Sequence, residues 1–410
     1  MTTFEEKLDK YAELAVKNGI NLQKGQTLVI TAQISAVSFV RKVTEKAYQA
    51  GAKHVYFQWE DDPLALIKLQ HAPDESLKEY PMWNAKGLEE MAEDGAAFLN
   101  IRTPNLDMFK DVDPEKMAAA NKASAEALET YKDYRMKNKV SWSIVAVPSE
   151  EWAEKVFPDL ASDEAVTKLW ETIFRMTRAD QEDPVVAWEV HKQQLAEIVR
   201  YLNEKSYKKL HYRGPGTDLT IAFPEGYHWT GGGMKNEAGK DFIPNIPTEE
   251  VFTLPLKTGV NGTVSSTKPL NYSGNLIDNL SLTFEDGKIV DFQAEKGYNT
   301  LKKLIETDEG SHYLGEVALV PHQSPISQSG LIFYNTLFDE NASCHLAIGK
   351  AYPHCLNGGT KMSEEELREH GVNKSLTHVD FMIGSVELDI DGETETGEKE
   401  PVFRNGNWAF

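Results

Sequence analysis

Two cysteines in 410 residues, Cys344 and Cys355, are too few for a disulfide framework. The fold must therefore close on its own apolar core, and a reducing compartment suits it. No window approaches the roughly 18 apolar residues of a membrane-spanning helix. The opening Met1-Thr2-Thr3-Phe4-Glu5-Glu6 carries acid where a secretory leader would carry base. Cytoplasmic residence without membrane attachment is the expectation. Positive charge is also short, since 43 Lys plus Arg face 64 Asp plus Glu, for a formal net charge of −21. A field of that sign repels nucleic acid and anionic lipid, and favours metal ions and substrates with a positively charged amino end. Fixed-period repeats are absent, and neither glycine-rich segment has a phosphate-binding frame. Gly231-Gly232-Gly233 does not sit between a strand and a helix and reads as a hairpin or, second to that, a loop near the functional site. In Asn357-Gly358-Gly359-Thr360-Lys361 the lysine is followed by Met362 rather than Ser or Thr, so nucleotide binding has no support.

What is present is an apolar fraction of 40%, enough for a large core split between two domains. Phe4, Leu8, Tyr11 and Ala15 recur at helical spacing ahead of Asn18-Gly19, and 35–50 also reads as helix. Segments 26–31, 54–59, 96–101 and 140–147 read as strands, and this alternation implies a parallel α/β layer. Helical patterns over Asp107 to Lys137 and Asp163 to Lys205 would cover its faces, the second with Trp170, Ile173 and Phe174 on one stripe. Past Lys205 the texture turns to short strands, 219–223, 263–264, 282–284 and 289–292, punctuated by Gly and Asp. The expected architecture is α/β: an N-terminal parallel α/β layer domain with covering helices over 1–207, then a β-rich mixed α+β domain over 208–410 carrying the functional site. The acidic stretch from Asp389 to Glu400 reads as a solvent loop, and the apolar end Trp408-Ala409-Phe410 as a segment tucked into its own domain or a partner subunit.

The chemistry concentrates in the last third. Glu250, Glu316, Glu340, His345, His378 and Asp380 each lie in apolar, strand-like or turn-like surroundings where an ionisable side chain is costly to bury. Glu316 precedes Val317 to Val320, so its carboxylate is expected either at the mouth of a buried strand or neutralised inside it. His378 and Asp380 are two apart, which puts both on one face of a strand. Glu340 and His345 span a spacing that suits a turn running into a new element. Taken singly, a strand-end Glu is ordinarily a solvated edge charge and a His among apolar residues a hydrogen-bonded core residue. Four such segments in one stretch favour bound divalent metal. Six oxygen and nitrogen ligands exceed a four-coordinate structural zinc and suggest two ions sharing a carboxylate, with Glu316 the shared one. Such a centre suits metal-assisted hydrolysis. Two other readings stand beside it: a non-catalytic divalent-metal or small-ligand binding protein, and a scaffold whose six residues scatter over the surface. Cys344 receives no catalytic role, because adjacent side chains diverge on a strand and buried Cys is ordinarily inert.

The segments Pro247-Thr248-Glu249-Glu250-Val251-Phe252, Gly315-Glu316-Val317-Ala318-Leu319-Val320-Pro321, Asp339-Glu340-Asn341-Ala342-Ser343-Cys344-His345-Leu346 and Leu376-Thr377-His378-Val379-Asp380-Phe381-Met382 resemble, in order, the aminopeptidase T and aminopeptidase S family of metal-dependent exopeptidases. The resemblance runs along nearly the whole chain. It implies peptide substrates with a free N-terminus, a homodimer, and two divalent ions of zinc, cobalt, manganese or magnesium. Their ligands would be Glu250, Glu316, Glu340, His345, His378 and Asp380, with Tyr352 at the site. Tyr352 is then a candidate hydrogen-bond donor to the developing oxyanion, and Glu249 a candidate proton relay, although an extended backbone would turn Glu249 away from Glu250 to the surface.

Overall fold

The computed structural model describes residues 3–104, 108, 109, 111–272 and 275–410. Contacts gather them into two compact units, one of residues 1–190 with 233–247, the other of 191–232 with 248–410.

The first unit is built on four parallel strands in the order His54–Glu60, Thr27–Gln33, Ala97–Arg102, Trp142–Ala146. Five of the six residues of Ala97–Arg102 are buried, the near-continuous apolar run expected of a strand covered on both faces. Thr3 opens the first helix, Phe4–Leu14, through a reciprocal capping box with Glu6. That helix runs on through one wide π turn, Ala15–Gly19, to the glycine that the spacing marked as its stop. Tyr11, Phe39 and Phe174 interlock as buried rings beside Trp170, which joins the helical stripe to the core.

Two long helical expectations resolve into pairs. Asp163 to Lys205 is two helices, Ser162–Met176 and Pro184–Lys205. The chain turns between them, where the Thr177 carbonyl accepts from the buried Trp188 Nε1 at 2.7 Å, and Pro184 suits a helix start but not an interior. Asp107 lies outside the described residues, and the remainder of that stretch carries the helices Pro114–Ala127 and Glu129–Met136.

The division into compact units differs from a boundary at 207/208. It falls at residue 190, inside Pro184–Lys205, and 233–247 returns to the first unit. There Ile144 N donates to Pro244 O at 2.7 Å and Ile246 N to Ile144 O at 3.0 Å, so the segment adds itself to the edge of the parallel sheet. Pairing over such a sequence distance leaves no local periodicity to read.

The second unit holds an eight-stranded antiparallel sheet in the order Lys288–Gln293, Ser281–Glu285, Val260–Ser265, Thr217–Ala222, Lys209–Gly214, Asp389–Glu393, Lys399–Arg404, Asn407–Trp408. A second sheet of five strands shares its core, which draws Tyr212, Ile221, Phe284 and Ile390 from the first and Val317, Leu346, Ile348 and Phe381 from the second. The expected solvent loop from Asp389 to Glu400 is mostly a hairpin. Its acids alternate with Ile390, which is fully buried, a half-buried strand that charge alone disguised. The apolar terminus is tucked against this unit, Trp408 on Phe403 and Phe410 stacked on Tyr201 at 3.8 Å. Among the described residues no helix is long and apolar enough to cross a membrane.

Candidate metal centre

The five-stranded sheet, in the order His378–Met382, His345–Gly349, Leu314–Leu319, Val251–Thr253, Thr230–Gly231, gathers the candidate ligands by register. Glu316 stands opposite Ala347, and Ala347 opposite Asp380; His345 stands opposite Ala318 and Met382, and Gly349 opposite His378. Directly opposed residues share a face, as do alternate residues along a strand. One face therefore carries Glu316, His345, His378 and Asp380, with the small residues Ala318, Ala347 and Gly349 among them. The other face carries Val251, Val317, Leu319, Leu346, Ile348, Val379 and Phe381, all in the core.

Of its two expected positions, the strand mouth and a neutralised place inside, Glu316 takes the second. It lies inside a strand whose six residues are all buried, and is itself 4% exposed. A β-bulge makes this possible. Leu314 pairs with Ile348 and Glu316 with Ala347, so Gly315 is the extra residue, and Leu314 and Val317, three apart, both reach the core while Glu316 faces away from it. Gly315 is required there: a Cβ would come within 2.3 Å of Lys350 O and 2.4 Å of Gly349 O. Of the two readings of Gly231-Gly232-Gly233 the hairpin fails, because Thr230–Gly231 pairs with Val251–Thr253 as the sheet's edge, next to Glu250.

His345 Nε2 lies 3.0 Å from Glu250 Oε2 and 3.5 Å from Glu316 Oε1, and His378 Nε2 lies 3.4 Å from Glu316 Oε2 and 3.5 Å from Asp380 Oδ1. Two groups result, Glu250–Glu316–His345 and Glu316–His378–Asp380, each with its ligand atoms within 4.8 Å of one another and with Glu316 common to both. Each imidazole is oriented from behind. Nδ1 of His345 is 3.0 Å from Ser343 O, and Nδ1 of His378 is 2.7 Å from Lys350 O. A proton on Nδ1 donates to those carbonyls and leaves Nε2 for the carboxylate side, the arrangement that serves a metal ligand.

Buried ionisable groups of both signs shift one another strongly in the cluster. Burial opposes charge on both imidazoles, yet Glu250 and Glu316 hold His345 well above its usual value, and Asp380 and Glu316 do the same for His378. Against its own burial, Glu316 is drawn down to about 2 by the two imidazoles. Burial, and then acidic neighbours, push Glu250 up and Glu340 well up. Glu250 Oε2, although 3.0 Å from an imidazole, and Asp380 Oδ1 are buried without a well-directed hydrogen bond. Four carboxylates, two imidazoles and buried carboxylate oxygens fit hard or borderline divalent cations.

Glu340 stands outside both groups, in the single turn Glu340–Ala342, with its buried carboxyl in the field of Asp380, Glu250, His345 and Glu316. Tyr352 lies beside them, its ring 4.7 Å from that of His378 and its phenol pushed well up by burial and by the same carboxylates. The surface position expected for Glu249 does not occur. It is 6% exposed, with Oε2 3.5 Å from Nε2 of the buried His191, because the chain folds over this segment. The six proposed ligands do not scatter over the surface. Both cysteines are free and buried, and Cys344 is pushed up to about 12 by its surroundings, which fits an inert thiol.

Residues 4–408 match the thermophilic metalloprotease (M29) family. The chain belongs to that family. It is 58% identical over 410 residues to aminopeptidase 2 of Geobacillus stearothermophilus, covering 100% of this chain and 99% of that one. It is 45% identical over 409 residues to aminopeptidase T of Thermus thermophilus, covering 100% of both. The solved structure of wild-type AmpT from Thermus thermophilus superposes with a TM-score of 0.94 at 43% identity, again over 100% of both chains.

This M29 metalloprotease also places groups at the site that spacing did not single out. Phe252 follows Glu250 by two, stands opposite Ala318, and packs on Tyr352 and His354 at ring distances of 6.0 and 5.9 Å rather than in the core. The available signal was the same period of two that paired His378 with Asp380. Asn341 and His191 hold the two ends of the Thr248–Glu249 peptide unit, through contacts that no sequence pattern announces.

Proposed function

We propose that the chain is a metal-dependent aminopeptidase that removes N-terminal residues from peptides, acting as a cytoplasmic homodimer. The observation that carries this reading is Glu316, one carboxylate shared by two three-ligand groups. Its relatives' names, aminopeptidase 2 and aminopeptidase T, support the choice of reaction.

On this reading Glu250, Glu316, Glu340, His345, His378 and Asp380 hold two divalent ions, with zinc, cobalt, manganese and magnesium all compatible with the donors. Such ions supply a Lewis acid for the scissile carbonyl and a water ionised near neutral pH. The protein's own groups do the rest. The acidic cluster attracts and orients the substrate's α-ammonium, which explains a requirement for a free N-terminus. Tyr352, whose phenol keeps its proton, donates a hydrogen bond to the oxygen that gains charge during attack. Glu249, buried beside His191, holds the proton on its way to the leaving amine.

The test is hydrolysis of a free and an N-acetylated leucyl peptide by protein stripped with chelator and resupplied with each of the four ions. Metal-restored cleavage of the free peptide alone is expected. Failure of every metal to restore cleavage would transfer the reading to a metal-binding protein without catalysis.

A further inference from the structure

Strand register positions Glu316, His345, His378 and Asp380, but two proposed ligands lack that support. Glu250 lies just before Val251–Thr253, and Glu340 lies in a single turn. Asn341 connects the backbone just ahead of Glu250 to Glu340. It is 0% exposed. Its Oδ1 accepts from Glu249 N at 2.7 Å, and its Nδ2 donates to Leu337 O at 3.0 Å and lies 3.4 Å from Glu340 Oε1. Its own carbonyl accepts from Ser324 Oγ at 3.2 Å. One buried amide thus ties the Thr248–Glu249 peptide unit, one residue ahead of Glu250, to the carboxylate of Glu340, across 92 residues of chain.

We propose that Asn341 is a positioning residue that sets the separation of Glu250 and Glu340 and the plane of the Glu340 carboxylate, and so sets the affinity for the cation these two hold. This rests on the two-ion reading of the site. The amide is suited to the task because its two ends differ. The acceptor meets a backbone N–H, while the donor meets a carboxylate whose remaining neighbours are largely acidic. A donor there steadies the charged carboxylate without adding negative charge.

Asn341→Asp keeps the shape and the acceptor for Glu249 N–H, but loses the donor and turns an anion toward Glu340. Cobalt alone serves as the probe, read by d–d absorption and titration calorimetry, with melting of the cobalt-free protein measured alongside. N341D should weaken one of two cobalt equivalents about 10- to 100-fold and leave the other within about 2-fold. In an E340Q background N341D should add nothing further, since the two residues act as one unit. If N341D does not fold, Asn341→Ser, which keeps a shorter donor and acceptor, takes its place in the same cycle with the same expectation. Unchanged cobalt affinity beside a lowered melting temperature would reduce Asn341 to a structural residue and overturn the proposal, as would additive losses in the double variant. Failure of the parent protein to take up cobalt would instead overturn the two-ion reading on which the proposal stands.

Discussion

Glu316 and Asp380 lie in one row of the sheet, separated only by Ala347. Strands about 4.8 Å apart put these two backbones roughly 10 Å from each other, so the carboxylates converge above a single methyl group. On the two-ion reading proposed above, that space receives a cation. Ala347→Leu should fill it, abolishing metal uptake and lowering turnover about 100-fold or more, at an overpacking cost of about 1–3 kcal/mol. Metal content by elemental analysis is the direct check, and a fully loaded A347L would refute this use of the space.

Because Glu316 touches both imidazoles, its replacement is expected to be the most damaging single change. Glu316→Gln should lower kcat/KM by about 1000-fold or more, with loss of metal from both groups. Glu340→Gln should affect one group only. Equal metal stoichiometry in the two variants would argue against a shared ligand.

Tyr352 offers a cleaner separation of binding from chemistry. Tyr352→Phe keeps the ring against His378 and Phe252 and removes only the hydroxyl. Turnover should fall about 100- to 1000-fold, with KM and metal content little changed. Unaltered kcat would leave the tyrosine a packing role alone.

Asp308 predicts a pH dependence away from the metal ligands. Its carboxylate accepts from Leu376 N at 2.6 Å and from the Ser375 and Ser311 hydroxyls at 2.8 Å, and so holds the chain just ahead of His378. Partial burial works to raise its pKa, but these hydrogen bonds prevail and hold it below the ordinary range. A carboxyl depressed in this way contributes stability that is present above its unfolded value of about 4 and lost as pH falls through the lower folded value. Asp308→Asn should therefore cost about 1–3 kcal/mol at pH 7, with the gap to the parent closing below about pH 4. Denaturant titrations at both pH values measure it, and a gap independent of pH would contradict the assignment.

The legible part of this protein was whatever repeats locally. A period of two placed His378 and Asp380 together, and alternation of helix and strand gave the parallel sheet of the first unit. Which of its two expected positions Glu316 takes was not legible, because the bulge at Gly315 lets a buried strand present a carboxylate to one side, and a bulge has no periodic signature. Glu249 looked exposed because its burial comes from distant chain, His191 and Asn341. The hairpin within 389–400 was hidden by its acids, which face outward while Ile390 faces the core. The return of 233–247 to the first unit was invisible for the same reason as Glu249: its partner, Ile144, lies far away in sequence.

Within His345–Gly349, chemistry and cohesion are written on alternate letters. His345, Ala347 and Gly349 lie on the face that carries the carboxylate–imidazole cluster, while Leu346 and Ile348 belong to the core. Substituting His345 should give a folded molecule with poor turnover, whereas truncating Leu346 or Ile348 should give heat-sensitive molecules whose surviving fraction works normally. The two traits can therefore drift independently under selection, residue by residue. A one-residue deletion has no such freedom, since it exchanges the faces and forfeits both traits in one step.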